Sequence, residues 1–147
     1  MNPLAERYHR KIMDLANAML YHARLGIAFW EHAVRHAVYL LNRIPMKFHA
    51  KYFRTKDGTP TAHELITGQK ASYSRVRVWG CDMYERLPSG RKSSEPGSPN
   101  ARKMIYVGVS VDGKSFLGYD VEGAHTRRDC FNVEFDESMK NRVNNLR

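Results

Sequence analysis

Cysteine is scarce: only Cys81 and Cys130 occur in 147 residues, far apart and without CxxC or CxxH spacing. Two cysteines so placed suggest neither a disulfide framework nor a structural zinc site, and a reducing, intracellular setting is expected. No apolar run approaches the roughly 20 residues of a membrane span. The opening Met1-Asn2-Pro3-Leu4-Ala5-Glu6-Arg7 has no apolar leader stretch, so neither a membrane partner nor secretion is expected. Acidic groups are also in short supply. The 15 Asp and Glu stand against 24 Lys and Arg, and a net charge of +9 favours an anionic partner, nucleic acid more readily than a membrane surface. The 42% of hydrophobic residues can still supply a folded core.

The positive charge is unevenly spread. Residues 1 to 74 hold 11 Lys and Arg against 5 Asp and Glu, residues 75 to 137 hold 10 against 10, and the basic tail, 138–147, holds 3 against none. Within the balanced stretch, Arg86, Arg91, Lys92, Arg102 and Lys103 face only Glu95 between residues 86 and 103, whereas 104–137 is net acidic. Such polarity could orient a module on DNA; a solvated loop is the plainer alternative.

Tyr8, Ile12, Leu15, Ala16, Met19, Leu20 and Ala23 recur at steps of three and four, which predicts a helix over about 5–24 with Gly26 placed to stop it. A second stripe, Trp30, Ala33, Val34, Ala37, Val38 and Leu41, ends at Ile44-Pro45, because proline disfavours helix in the residue before it. Neither helix can hide its stripe alone, so each must pack on the other and on something more. Residues 46–58 mix Lys and Arg with Phe48, Tyr52 and Phe53 without a clean period and suit a connector. A short third helix before Gly68 has two possible starts, Thr59-Pro60 or the capping box Thr61-x-x-Glu64.

From Val76 the pattern changes to short β-type runs: 77–84, 104–109, 115–119 and 128–135. Residues 88–100 form a Pro/Gly/Ser loop, and Asp112-Gly113 and Glu122-Gly123 mark tight reversals. Four or five strands this short must curl to bury both the Trp79 and the Phe131 sides, which predicts a small barrel with Trp79 inside. The fold class expected is therefore α+β: a helical hairpin (1–45), a linker with a short helix (46–74), a small β-barrel (75–137) and the tail (138–147).

Asn2-Pro3-Leu4-Ala5-Glu6-Arg7 and the helix it opens resemble the end of the catalytic core of copia-type retrotransposon integrases. Phe29-Trp30, Ala33-Val34 and Tyr39-Leu40-Leu41-Asn42-Arg43-Ile44-Pro45 resemble the next block of that family, and Thr59-Pro60 to Gly68 the one after it. Arg77-Val78-Trp79-Gly80-Cys81, Lys103 to Gly108, and Arg128-Asp129 with Val133 to Glu137 resemble the SH3-like barrel that follows in the same polyprotein. The blocks run in family order over about residues 2 to 137.

The resemblance implies that the hairpin is a remnant of an RNase H-like core and that Glu6 matches the third carboxylate of an Asp, Asp, Glu set. In the family that set holds two Mg²⁺ or Mn²⁺ ions. Phosphoryl transfer between DNA strands needs two cations about 4 Å apart, held by several converging oxygens, and one carboxylate cannot hold them. Pro3 stands where the family has glycine, and only five residues precede Glu6. The expectation is thus a piece of a Pol polyprotein integrase, nuclear if functional, with no metal, no cofactor and no strand transfer of its own. Its expected partner is DNA, contacted through Arg7, Arg10, Lys11, Arg86, Arg91, Lys92, Arg102 and Lys103. Lys47, Lys51, Arg54 and Lys56 extend the first set along the connector. A second reading is a module for protein binding or for self-association through uncovered helical stripes, other integrase subunits included. His32 and His36 stand at i, i+4, but the order Glu-His-x-x-x-His is not a zinc-protease motif, and a solvated or DNA-facing pair is expected.

Overall fold

A computed structural model describes residues 2–46, 53, 58–88 and 100–139. Helix α1 spans Pro3–Ala23. The Asn2 side chain starts it by accepting from the Leu4 and Ala5 amides at 3.1 and 3.4 Å, and Pro3 sits in the first turn, where its missing N–H costs nothing. The end departs from expectation. Arg24 itself takes the left-handed conformation, φ 53°, and the Leu25 amide reaches back to the Leu20 carbonyl at 3.1 Å, so the helix closes two residues before Gly26. A 3₁₀ turn, Ile27–Phe29, leads into α2, Trp30–Leu41.

Helix α3, Ala62–Thr67, starts at the second of its two candidate caps. The Glu64 amide donates to Thr61 Oγ1 at 3.2 Å, the Thr61 amide donates to Glu64 at 2.8 Å, and Gly68 ends the helix at φ 70°. The His63 amide bonds the Asn42 carbonyl at 2.9 Å, which ties α3 to the end of α2.

Five strands follow: β1 Asp82–Arg86, β2 Ala101–Val109, β3 Phe116–Tyr119, β4 Arg127–Cys130 and β5 Val133–Asp136. They form one antiparallel sheet in the order β4-β3-β2-β1-β5. Two of the expected strand runs are redrawn. Residues 77–81 are not strand: Cys81 bonds back to Val78 at 3.1 Å and Gly80 adopts φ 81°, a turn that swings Trp79 inward. The run 128–135 is broken at Phe131-Asn132 into two strands that lie at opposite edges of the sheet order.

That break fixes the shape. A flat sheet would hold β4 and β5 four strand spacings apart, about 19 Å, yet Cys130 and Val133 are three Cα steps apart, at most about 11 Å. The sheet must therefore curl until its edges approach. Inside the curl lie Met83, Met104, Tyr106 and Cys130, all fully buried, with Phe116 and Phe135 against them. Gly118 is glycine because a Cβ there would overlap the Met83 and Met104 methyl groups. Phe131, expected inside, is 72% exposed because it belongs to the edge-to-edge connection.

The outer face of the curl carries the helices. Ile105 and Val107 of β2 join Trp79, Ala16, Leu20 and Ala23 of α1, and Ala33 and Ala37 of α2 in one buried cluster. The sheet thus covers the stripes that neither helix could bury alone. The four alanines have no exposed surface and let the helices approach closely. Trp79 is inside as expected, its indole N–H donating to the Val107 carbonyl at 3.0 Å. Because β2 is buried on both faces, Met104 to Val109 is a continuous buried run rather than an alternating one.

Candidate nucleic-acid interface

Arg7, Arg10 and Lys11 project from the first turns of α1 and are exposed. Among the described residues none of the three has a carboxylate within ion-pair distance. At i, i+3 and i, i+4 spacing they share one flank of the helix. Glu6, also exposed, stands among them, and Ala5, Glu6, His9, Arg10 and Met13 line a shallow dent beside it. That dent does not suit a pair of divalent ions. One carboxylate beside Arg10 and His9 offers too few hard oxygens, and no cluster of three or more His, Cys, Asp and Glu side chains occurs among the described residues.

The second candidate set fares differently. Strand pairing sets Arg102 opposite Glu85, and their side chains meet at 3.8 Å. Lys103 reaches Asp82 at 3.1 Å; this carboxylate is nearly buried, and its hydrogen bond raises the ammonium pKa. Arg86 pairs with Glu134 across β1 and β5. All three described cations of the barrel set therefore already have an acidic neighbour. Sequence distance hid this: the carboxylates lie on other strands, and only the register identifies which faces which. Arg91 and Lys92 lie outside the described residues, as do Lys47, Lys51, Arg54, Lys56 and the tail from 140.

The histidine pair is also placed otherwise than expected. His36 is 3% exposed because α2 lies against both α1 and the sheet and so buries a wider face than its aliphatic stripe; Val38, counted in that stripe, is at the surface instead. His32 is half-buried against Phe29 and Tyr119, with ring centroids at 6.3 and 5.7 Å. Burial lowers its pKa. A solvated, DNA-facing pair is excluded for His36 by its position.

Along β5 an open groove is lined by Val76, Arg77, Val133, Glu134, Phe135 and Glu137. Arg77 lies 3.8 Å from Glu137 and covers the Phe135 ring at 5.3 Å, so its charge, too, is engaged. Among the described residues, then, the first turns of α1 hold three exposed cations that make no ion pair. No described helix is long and apolar enough to cross a membrane.

Curated proteins similar to this chain include three retrovirus-related Pol polyproteins of plant transposons. It is 29% identical over 144 residues to the retrovirus-related Pol polyprotein from transposon RE2 of Arabidopsis thaliana, a match covering 92% of this chain and 9% of that protein. The corresponding polyprotein from transposon RE1 of the same plant is 29% identical over 122 residues, covering 79% of this chain and 7% of its own length. That from transposon TNT 1-94 of Nicotiana tabacum is 32% identical over 96 residues, covering 63% and 6%. The chain thus spans less than a tenth of the length of each. No family model matches it, and no solved structure matches it significantly.

Proposed function

From the premise that the chain is homologous to the retrovirus-related Pol polyproteins of copia-type transposons, we propose that it is the integrase segment in which the last core helices meet an SH3-like barrel. The strand order, and the two-residue link that joins opposite edges of a curled sheet, support the barrel reading. The work of the segment is to hold DNA, in the nucleus where integration occurs, and strand transfer requires carboxylates additional to Glu6.

One observation carries the DNA reading: Arg7, Arg10 and Lys11 are exposed and, among the described residues, make no ion pair, while Arg86, Arg102 and Lys103 are matched by Glu134, Glu85 and Asp82. Phosphates exchange most readily with cations that have no carboxylate to give up, so α1 is the main contact and the barrel set a weaker one. Replacing Arg7, Arg10 and Lys11 by glutamine should weaken duplex binding and flatten its log–log salt dependence by about 0.9 per lost phosphate contact. The pair Arg102→Gln, Lys103→Gln should leave the slope nearly unchanged. Unaltered affinity and slope in the α1 triple variant would remove the proposal. Incubation with Mg²⁺ or Mn²⁺ and a labelled DNA end should give no more strand transfer than a Glu6→Gln control.

A further inference from the structure

Two buried side-chain nitrogens have no hydrogen-bond partner among the described residues, His36 Nδ1 and Arg128 Nε. His36 is much the more enclosed, at 3% exposure, and it sits where α2 lies on β2. Its ring stacks on Tyr39 of the same helix at 5.8 Å and meets Tyr106 of β2 edge-on at 5.7 Å. Its Nδ1 stands 3.4 Å from where a Cβ would project at Gly108, so that glycine leaves the ring its room.

Among the described residues no carboxylate forms an ion pair with the His36 ring. From α2 come Tyr39, with the Arg43 guanidinium 3.7 Å from its ring centre, and, one turn back, His32. From β2 comes Tyr106, whose hydroxyl donates to the Arg75 carbonyl at 3.2 Å. Behind Tyr106, Phe116 of β3 and Phe135 of β5 lie under the guanidinium groups of Arg75 and Arg77, at 5.4 and 5.3 Å. The charged groups over these rings are the Arg43, Arg75 and Arg77 guanidiniums, the last with Glu137 at 3.8 Å. Burial alone holds the imidazole pKa down, at about 4, with no carboxylate opposing it.

We propose that His36 makes the docking of the helical pair on the sheet acid-sensitive: the seat accepts the neutral ring and opens when the ring takes up a proton. The native seat binds this proton more weakly than the unfolded chain does, so its full contribution to stability is present above about pH 6.5 and is lost as the pH falls from there toward the folded-state pKa. In the upper part of that window, down to about pH 5.5, most carboxylates stay ionised, which separates the histidine from general acid unfolding.

The test uses the whole chain. Proton NMR of the histidine rings should show His36, assigned by its loss in His36→Phe, titrating below pH 5, under the ordinary imidazole value of about 6.5. Urea unfolding at pH 7.5 and 5.5 should show the folded-to-unfolded ratio of the wild type falling about tenfold more than that of His36→Phe. An ordinary titration of the His36 ring, or equal falls for the two proteins, would overturn the proposal. Should His36→Phe fail to fold, a wild-type ring that holds its neutral shift below pH 5 supports the proposal, and the absence of any such ring refutes it.

Discussion

At Lys103 the ammonium lies 3.1 Å from an Asp82 carboxylate that is itself nearly buried, and this arrangement gives the residue a structural task. Removing the cation strips a sheltered carboxylate of its charged partner, so Lys103→Met should destabilise the fold by about 1–3 kcal/mol, read from urea midpoints, while changing DNA affinity little. A variant of full stability with weakened DNA binding would reverse the assignment and return Lys103 to the phosphate contacts. Arg86 and Glu134 are the contrast: both are more than half exposed, and breaking such a pair costs little. Trp79 is the other single residue on which the packing turns. Trp79→Phe leaves the buried Val107 carbonyl without its 3.0 Å donor and should lower stability by about 1–3 kcal/mol.

Among the elements, α3 depends most on local chemistry. It has six residues, none of them buried, and its capping box does much of what packing does elsewhere. Glu64 also accepts from the Ala71 amide at 3.1 Å, so the same side chain closes the helix start and pins the segment beyond its end. These backbone hydrogen bonds, from Thr61 first and Ala71 next, lower the Glu64 carboxyl pKa. Thr61→Ala should therefore cost about 1 kcal/mol and speed amide exchange through 62–67. Unchanged exchange there would mean that the contact with Asn42 holds α3 instead. Helix α1 is different: its first two turns, which carry Arg7, Arg10 and Lys11, are exposed, while its burial begins in earnest at Ala16.

At the scale of the molecule, helices and curled sheet share a core through Trp79, Ile105 and Val107, and β2 belongs to both that core and the one inside the curl. Separate unfolding of the two parts would expose the outer face of β2, so a single cooperative transition is expected. The cysteines report on it. Cys81 and Cys130 are both fully buried, and burial first, then the neighbouring Glu85, pushes the Cys130 thiol up to about 12. Neither should react with a thiol reagent at pH 8 until urea reaches the unfolding transition, and both should then react together. Labelling of Cys130 well before the fluorescence change of Trp79 would show that the curl opens independently.

Much of this protein was readable in its sequence, because local rules determine local structure. Helix periodicity located α1 and α2, the capping box and Gly68 bounded α3, and Asp112-Gly113 and Glu122-Gly123 marked the reversals between β2 and β3 and between β3 and β4. The resemblance blocks pointed to a retrotransposon Pol polyprotein, and the similarity to three such polyproteins bears out that coarser kinship. Other features depended on which segments come together in space. The pairing of Arg102 with Glu85 and of Lys103 with Asp82 follows from strand register, and the division of 128–135 follows from a sheet whose edges must meet. His36 is buried because α2 lies between α1 and the sheet, a circumstance its own helix does not encode. Charge and periodicity belong to the chain itself; whether a charge is opposed or a side chain enclosed depends on residues distant in sequence, and only folding brings those into contact.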